Sequence, residues 1–258
     1  MKAEERMDWA KNFYSKQAKW LKLPARWAKF SPSDPPGRAR RRAAALERLA
    51  QPGTKRVLEL GAGSGIVAGA IALLGHTVVA VDIVDESVAN ARRVAAQLPH
   101  GELIVVQGDF YEIELTDRFD VVCYLDGFGI GSDADQQRLL HRIAGWLKPE
   151  GCALVDVYSP WHFATKNGEV YREGNAMCRS DFDADRSRLL QSIWPVGEDE
   201  SQAVTQSLRC YSPADFRLLL EGTGLVLQTL EPYESEDHEK RVPLKQAMLY
   251  LTKLVLEG

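Results

Sequence analysis

A chain of 258 residues with 45% hydrophobic and 26% charged content can bury one sizeable core, so a single domain carrying an insertion is expected. Its first ten residues are charged, and no later run reaches the roughly 18–20 apolar residues of a membrane span, which argues against a membrane protein and for a cytoplasmic one. Net charge is −4 but unevenly spread, because residues 1–56 hold 15 Lys and Arg against 5 Asp and Glu.

Residues 1–30 read as helical and aromatic, with Trp9, Phe13, Tyr14, Trp20, Trp27 and Phe30, until Ser31-Pro32-Ser33-Asp34-Pro35-Pro36-Gly37 breaks the pattern. With the helix that follows they form an expected N-terminal lid, 1–50, ahead of a main domain at 51–258. Arg38, Arg40, Arg41 and Arg42 on that helix suit either a polyanion-binding arm or a solvated helix face. The apolar stripe of Ala43, Ala44, Leu46, Leu49 and Ala50, and the lack of interleaved aromatics, favour the solvated face.

From residue 57 strands alternate with helices: strand 57–60, helix 64–74 ending at Gly75, strand 77–81, helix 86–98 with Asp85 as its N-cap, and strand 103–106. A fourth strand is predicted at 119–125, a helix at 133–148 stopped by Pro149, and a fifth strand at 153–157. Ser212-Pro213-Ala214-Asp215 has the form of a capping box, and closing strands near 225–230 and 247–255 bring the count to seven. An insertion at about 159–211 exceeds what the alternation requires, and two antiparallel strands, 188–196 and 203–210, are predicted inside it. Cys123, Cys152, Cys178 and Cys210 are too scattered for a metal site and read as free thiols.

Glu59-Leu60-Gly61-Ala62-Gly63-Ser64-Gly65 runs from a buried strand into a glycine-rich turn at a helix start, where backbone can approach a ligand closely. The sixth position of a dinucleotide fingerprint is Ile66, and no lysine occurs between Lys55 and Lys148 to serve a phosphate loop. A cofactor with an amino-acid tail and a sulfonium centre suits such a loop better. Asp82, 21 residues after Gly61, ends the second strand where a carboxylate accepts hydrogen bonds from a ribose diol. Asp109 ends the third, where it can accept from an adenine amino group, with Phe110 beside it to stack on the ring.

In this order ELGAGSG, the acids of VAVD and QGD, FDVVCYLDGFG and WLKPEG resemble the motif series of class I S-adenosylmethionine-dependent methyltransferases over about 57–157. The resemblance implies an α/β fold, a seven-stranded Rossmann-like sheet of order 3-2-1-4-5-7-6 with the last strand antiparallel, here with the N-terminal helical lid and a β-rich insertion after strand 5. It implies S-adenosylmethionine as cofactor and S-adenosylhomocysteine as product, held by Glu59, Gly61, Ala62, Gly63, Gly65, Asp82, Ile83, Asp109, Phe110 and Leu125. Tyr14, on a helix the family often folds over the cofactor, joins them.

The acceptor is expected beyond the fourth strand, at Tyr124-Leu125-Asp126-Gly127-Phe128-Gly129. The [ND]PP[YF] sequence of base-amine and glutamine methyltransferases is absent there, so a small-molecule nitrogen or oxygen acceptor is expected. Asp126 is a candidate to orient or deprotonate it, and no metal is expected because Asp156-Val157-Tyr158-Ser159 lacks the second ligand pair of catechol-type enzymes. Transfer from a sulfonium needs alignment, desolvation and proton removal, and His162, just past the fifth strand, is the candidate base or else a packing residue. Phe128, Tyr158, Trp161, Tyr171, Arg209 and Tyr211 are the expected acceptor-side residues. An RNA methyltransferase using the basic segment, and a non-catalytic S-adenosylmethionine-binding protein, are the alternatives. A monomer or homodimer is expected.

Overall fold

The computed structural model describes residues 3–258. Largely apolar runs make β1 (Arg56–Leu60), β2 (Thr77–Asp82), β4 (Phe119–Tyr124) and β5 (Leu147–Tyr158), which are buried on both faces as central strands must be, apart from the exposed Pro149 and Glu150 near the start of β5. β3 (Glu102–Gln107) closes one edge. At the other lie β10 (Leu225–Tyr233) and β11 (Leu249–Leu256). The order β3-β2-β1-β4-β5-β11-β10, with β11 antiparallel to both neighbours, is the expected Rossmann-like topology.

Helices α3 (Gly37–Leu49), α4 (Ile66–Ala72) and α5 (Asp85–Ala95) supply Leu46, Ile71 and Val94 to one core layer. The other face is covered by α6 (Asp133–Trp146) and α8 (Pro213–Leu220), through Ile143, Trp146 and Phe216. Ser132 and Ser212 each head a complete capping box, with Asp135 and Asp215 reciprocating.

Several boundaries depart from expectation. α4 starts at Ile66 because Gly65 is left-handed, with φ 73°, and a Cβ there would lie 2.6 Å from that of Ala91. Asp85 is the first residue of α5 and not its cap, since Gln107 Nε2 (2.5 Å) and Lys11 Nζ (3.1 Å) engage its carboxylate. α6 stops at Trp146, before Pro149, which lies inside β5.

The N-terminal segment forms α1 (Ala3–Trp20) and α2 (Leu23–Trp27), as expected. After α7 (Pro160–Thr165) the insertion holds four strands where two were expected: β6 (Glu169–Glu173), β7 (Ala176–Asp183), β8 (Arg188–Pro195) and β9 (Val204–Arg209), in that order in one antiparallel sheet. β6 and β7 escape a hydrophobicity reading because β6 is exposed on both sides of Tyr171, Val170 included, and β7 interleaves Arg179, Ser180 and Asp181 with its apolar residues. α1 packs on this sheet, with Phe13 buried against Cys178 and Ile193. Trp9 Nε1 donates to the Thr205 carbonyl at 3.0 Å. Among the described residues, no helix is long and apolar enough to cross a membrane. All four cysteines are buried free thiols.

Candidate active site

The β1–α4 turn uses glycine where only glycine sits without strain. Gly61, Gly63 and Gly65 have φ of 59°, 53° and 73°. Asp82, at the end of β2, ties the turn in place: Oδ2 accepts from the Gly63 N–H and Oδ1 from the Val84 N–H, both at 2.8 Å. Burial raises its pKa against those two donors. Ala62 N–H is bonded to the Val81 carbonyl, so the turn and the β2 end leading into Ile83 form one rigid ledge. Asp109 Oδ1 accepts from Tyr111 N–H at 2.8 Å in the turn after β3, and the Phe110 ring lies 5.1 Å from that of Tyr124.

Glu59 is 3% exposed on β1, and its Oε2 has no hydrogen-bond partner among the described residues. Burial pushes its carboxyl up to about 8, opposed by Arg42 and assisted by Asp82. A buried carboxyl with an open oxygen calls for a cation, which is what the ammonium of an amino-acid tail provides.

Past β4, Leu125 is buried and Asp126 is left-handed, with φ 66°. Arg38 Nη2 stands 2.5 Å from Asp126 Oδ2, and the Tyr158 hydroxyl donates to Oδ1. Burial alone would raise Asp126, but Arg38 and Arg42 outweigh it and hold the carboxyl below its usual value. Tyr14 comes over this edge from α1: its hydroxyl donates to Gln206 Oε1 at 3.1 Å, and burial with the charges of Asp126 and Asp82 raises its pKa. The glycine ledge, Asp82, Asp126 and Tyr14 therefore share one corner of the molecule.

The expected acceptor residues divide. Tyr158 is at that corner. Phe128 is 0% exposed, its ring among Tyr124, Phe216 and Tyr211, so it is core packing and not a pocket wall. Tyr211 is likewise internal, donating to Asp133 Oδ1 at 2.7 Å. Arg209 is spent within the chain, 3.2 Å from Asp133 and stacked over Tyr211 at 4.6 Å. Tyr171 lies on β6, accepting from Gln191 at 3.1 Å. His162 is half-buried on α7 with its ring against Phe163, burial and then Lys166 lowering its pKa. Trp161 beside it has a buried indole N–H without a hydrogen-bond partner among the described residues.

Of the arginines of α3, Arg40, exposed and paired with Asp34 at 2.5 Å, fits the solvated face, but the others are bound within the chain. Arg42 forms a buried pair with Asp156 at 3.2 Å, and Arg48 grips Glu231 with two nitrogens at 2.5 and 2.6 Å. Arg41 Nε donates to the Asp237 carbonyl at 2.9 Å. His238 Nε2, 2.8 Å from Asp156 Oδ1, completes the clasp. Glu236, Asp237 and His238, on the loop joining β10 to β11, were missed by sequence reasoning. The signal was there in the opposed charges of 38–48 and 231–239. Among the described residues no group of three or more His, Cys, Asp or Glu side chains could hold a metal ion.

Residues 57–151 match a family model described as a methyltransferase domain. A cypemycin N-terminal methyltransferase of Streptomyces sp is 28% identical over 207 residues, covering 74% of this chain and 83% of that protein. Among solved structures, the CcbJ methyltransferase of Streptomyces caelestis superposes with TM-score 0.72 at 22% identity, covering 90% of this chain and 95% of that one. The glycopeptide N-methyltransferase MtfA complexed with S-adenosylmethionine does so at 0.61 and 22%, covering 85% and 87%. The domain match over 57–151, the motif series on its strand ends and the sheet topology together mark that stretch as an S-adenosylmethionine-dependent methyltransferase domain on a Rossmann-like sheet.

Proposed function

We propose that the protein methylates the nitrogen of an amine carried by a small molecule or a peptide. The observation that carries this reading is the carboxylate excess past β4, where Asp126, held ionised, shares the Arg38 guanidinium with Glu236 and Asp237, and a net negative charge attracts a cationic amine and not a neutral hydroxyl. The N-terminal methyltransferase activity named for the cypemycin relative supports the same choice.

S-adenosylmethionine supplies a methyl group already activated on sulfur. For this chain's part, Gly61, Ala62, Gly63 and Gly65 offer backbone at close range, and Glu59 offers its open oxygen to the ammonium of the methionine portion. Asp82 with Ile83 serves the ribose, Asp109 with Phe110 the adenine, and Leu125 the methionine chain. Tyr14 covers the corner. Helix α1, ahead of α3 in the expected lid 1–50, and the insertion at 159–211 together form the cover that excludes water and aligns the acceptor, while α3 belongs to the core of the main sheet. Asp126 and Tyr158 orient the acceptor; His162, whose ring packs against Phe163, is a secondary candidate.

The test is a panel of small primary and secondary amines, alanine-terminated peptides included, each paired with its N-acetylated counterpart. Mass spectrometry is expected to find a methyl group added to free amines alone. Methylation confined to hydroxyl-bearing acetylated members, or to transfer RNA under the same conditions, would overturn the reading.

A further inference from the structure

Asp126 is a poor proton acceptor, because both of its oxygens already receive hydrogen bonds and its two arginine neighbours favour the ionised form. A second carboxylate faces the same guanidinium. Glu236 Oε1 lies 3.8 Å from Arg38 Nη1, beyond hydrogen-bond distance, and none of the described residues donates a hydrogen bond to it. Its side chain is 39% exposed, so one side meets solvent and the other meets the Arg38–Asp126 pair.

This carboxylate is not on a free loop. Arg41 Nη2 stands 3.7 Å from Asp237 and 3.5 Å from Glu239, on either side of His238. The His238 ring is 1% exposed, bonded to Asp156 and stacked on Tyr233 at 4.6 Å. The next residues after Glu236 are therefore fixed to α3, β5 and β10, which sets where Glu236 stands.

Resting on the amine reading above, we propose that Glu236 is the proton acceptor of the reaction, with Asp126 as the fixed anion that draws an ammonium in and Arg38 as the pivot that spaces the two carboxylates. The ammonium gives its proton to a Glu236 oxygen. The freed nitrogen lone pair forms the new N–C bond as the methyl C–S bond breaks, and sulfur keeps that bonding pair. Glu236 then returns its proton to solvent through its exposed side.

The surroundings suit the task. The charge of Asp126 and then burial raise Glu236 to about 7, with Arg38 and Arg42 of α3 opposing and Asp237 of its own loop adding. Tyr158 of β5 is on the other side of Asp126, and His238 and Glu239 follow along the loop. A carboxyl group titrating near neutrality can both take up and release a proton at physiological pH.

Glu236→Gln is expected to lower kcat on alanylalanine at pH 7 by about 100-fold or more while leaving the dissociation constant of S-adenosylhomocysteine unchanged. Its rate should recover as pH rises past the peptide amine's own pKa of about 8, where the free amine needs no base. Turnover at the wild-type rate at pH 7, or a loss of cofactor affinity in step with the loss of rate, overturns the proposal. Independently of any acceptor, the carboxyl carbon of Glu236 in the S-adenosylhomocysteine complex should titrate near neutrality by NMR. A midpoint at the ordinary glutamate value overturns the proposal as well. If the wild type methylates only a hydroxyl, the amine reading fails, and the NMR midpoint still judges Glu236 on its own.

Discussion

Glu59 is a neutral acid at neutral pH, because burial lifts it from 4.5 to about 8. The folded chain therefore binds a proton that the unfolded chain has released, and the stability this contributes is full below about 4.5 and is lost as pH rises through about 8. A cation arriving at the open oxygen reverses the preference and expels the proton. Calorimetry of S-adenosylhomocysteine binding at pH 7, in two buffers of different ionisation enthalpy, should show proton release. Glu59→Gln should abolish that release, weaken binding about tenfold or more, and change urea-measured stability at pH 7 by only about 1 kcal/mol. Binding without proton release in the wild type would remove Glu59 from the cofactor's ammonium end. At Asp126 the choice of substitution matters, because φ 66° adds a backbone cost of about 1–2 kcal/mol to any Cβ residue that lacks a local hydrogen-bonding side chain. Asparagine removes the charge and keeps the turn; alanine disturbs both.

Among the elements, α3 and the β10–β11 connection act as a pair. Arg42 and Asp156 have side chains 4% and 2% exposed, so removing one partner strands the other in the interior. Arg42→Met is expected to cost about 3–5 kcal/mol in denaturant melts, and a double variant with Asp156→Leu should recover part of that loss. A single-variant cost below about 1 kcal/mol would mean that His238 alone suffices to hold Asp156. This pairing also marks the border of what the sequence makes legible. The central strands and the glycine turn announce themselves because burial on both faces and a tight βα turn each leave a local pattern. The pairing of Arg38 with Asp126, or of Arg42 and His238 with Asp156, leaves no local pattern beyond opposed charges, since the partners are brought together only by the finished sheet. The aromatic residues misled for a related reason: a local pattern cannot tell whether a ring such as Phe128 faces a ligand or three other rings.

At the scale of the whole molecule, one sheet carries the cofactor motifs, and the second, with α1 packed on it, is the cover proposed above. The second sheet meets the first through the loop after β4, by the bridge between Ile130 and Leu208, the Arg209 N–H on the Gly129 carbonyl and Arg188 on the Gly131 carbonyl, while the Tyr14–Gln206 hydrogen bond ties α1 to β9. Such a cover is expected to respond to the cofactor while the main sheet does not. Hydrogen exchange with and without S-adenosylhomocysteine should show slower exchange in α1 and β9 and no change in β5 or β11. Equal protection everywhere would make the cover part of one rigid body.

The position of β11 has a consequence for how the chain is made. It is the last described strand in chain order, yet it lies inside the sheet, between β5 and β10. On a ribosome, β5 waits with a bare edge through the synthesis of the whole insertion, α8 and β10, and the carboxylates that pair with α3 arrive almost as late. A nascent chain stalled before residue 249 therefore exposes unpaired backbone of an apolar strand, a ready template for aggregation and a signal for chaperones. Assembly of the acceptor corner and completion of the sheet are thus one late event, which ties the appearance of a working site to the quality control of the fold.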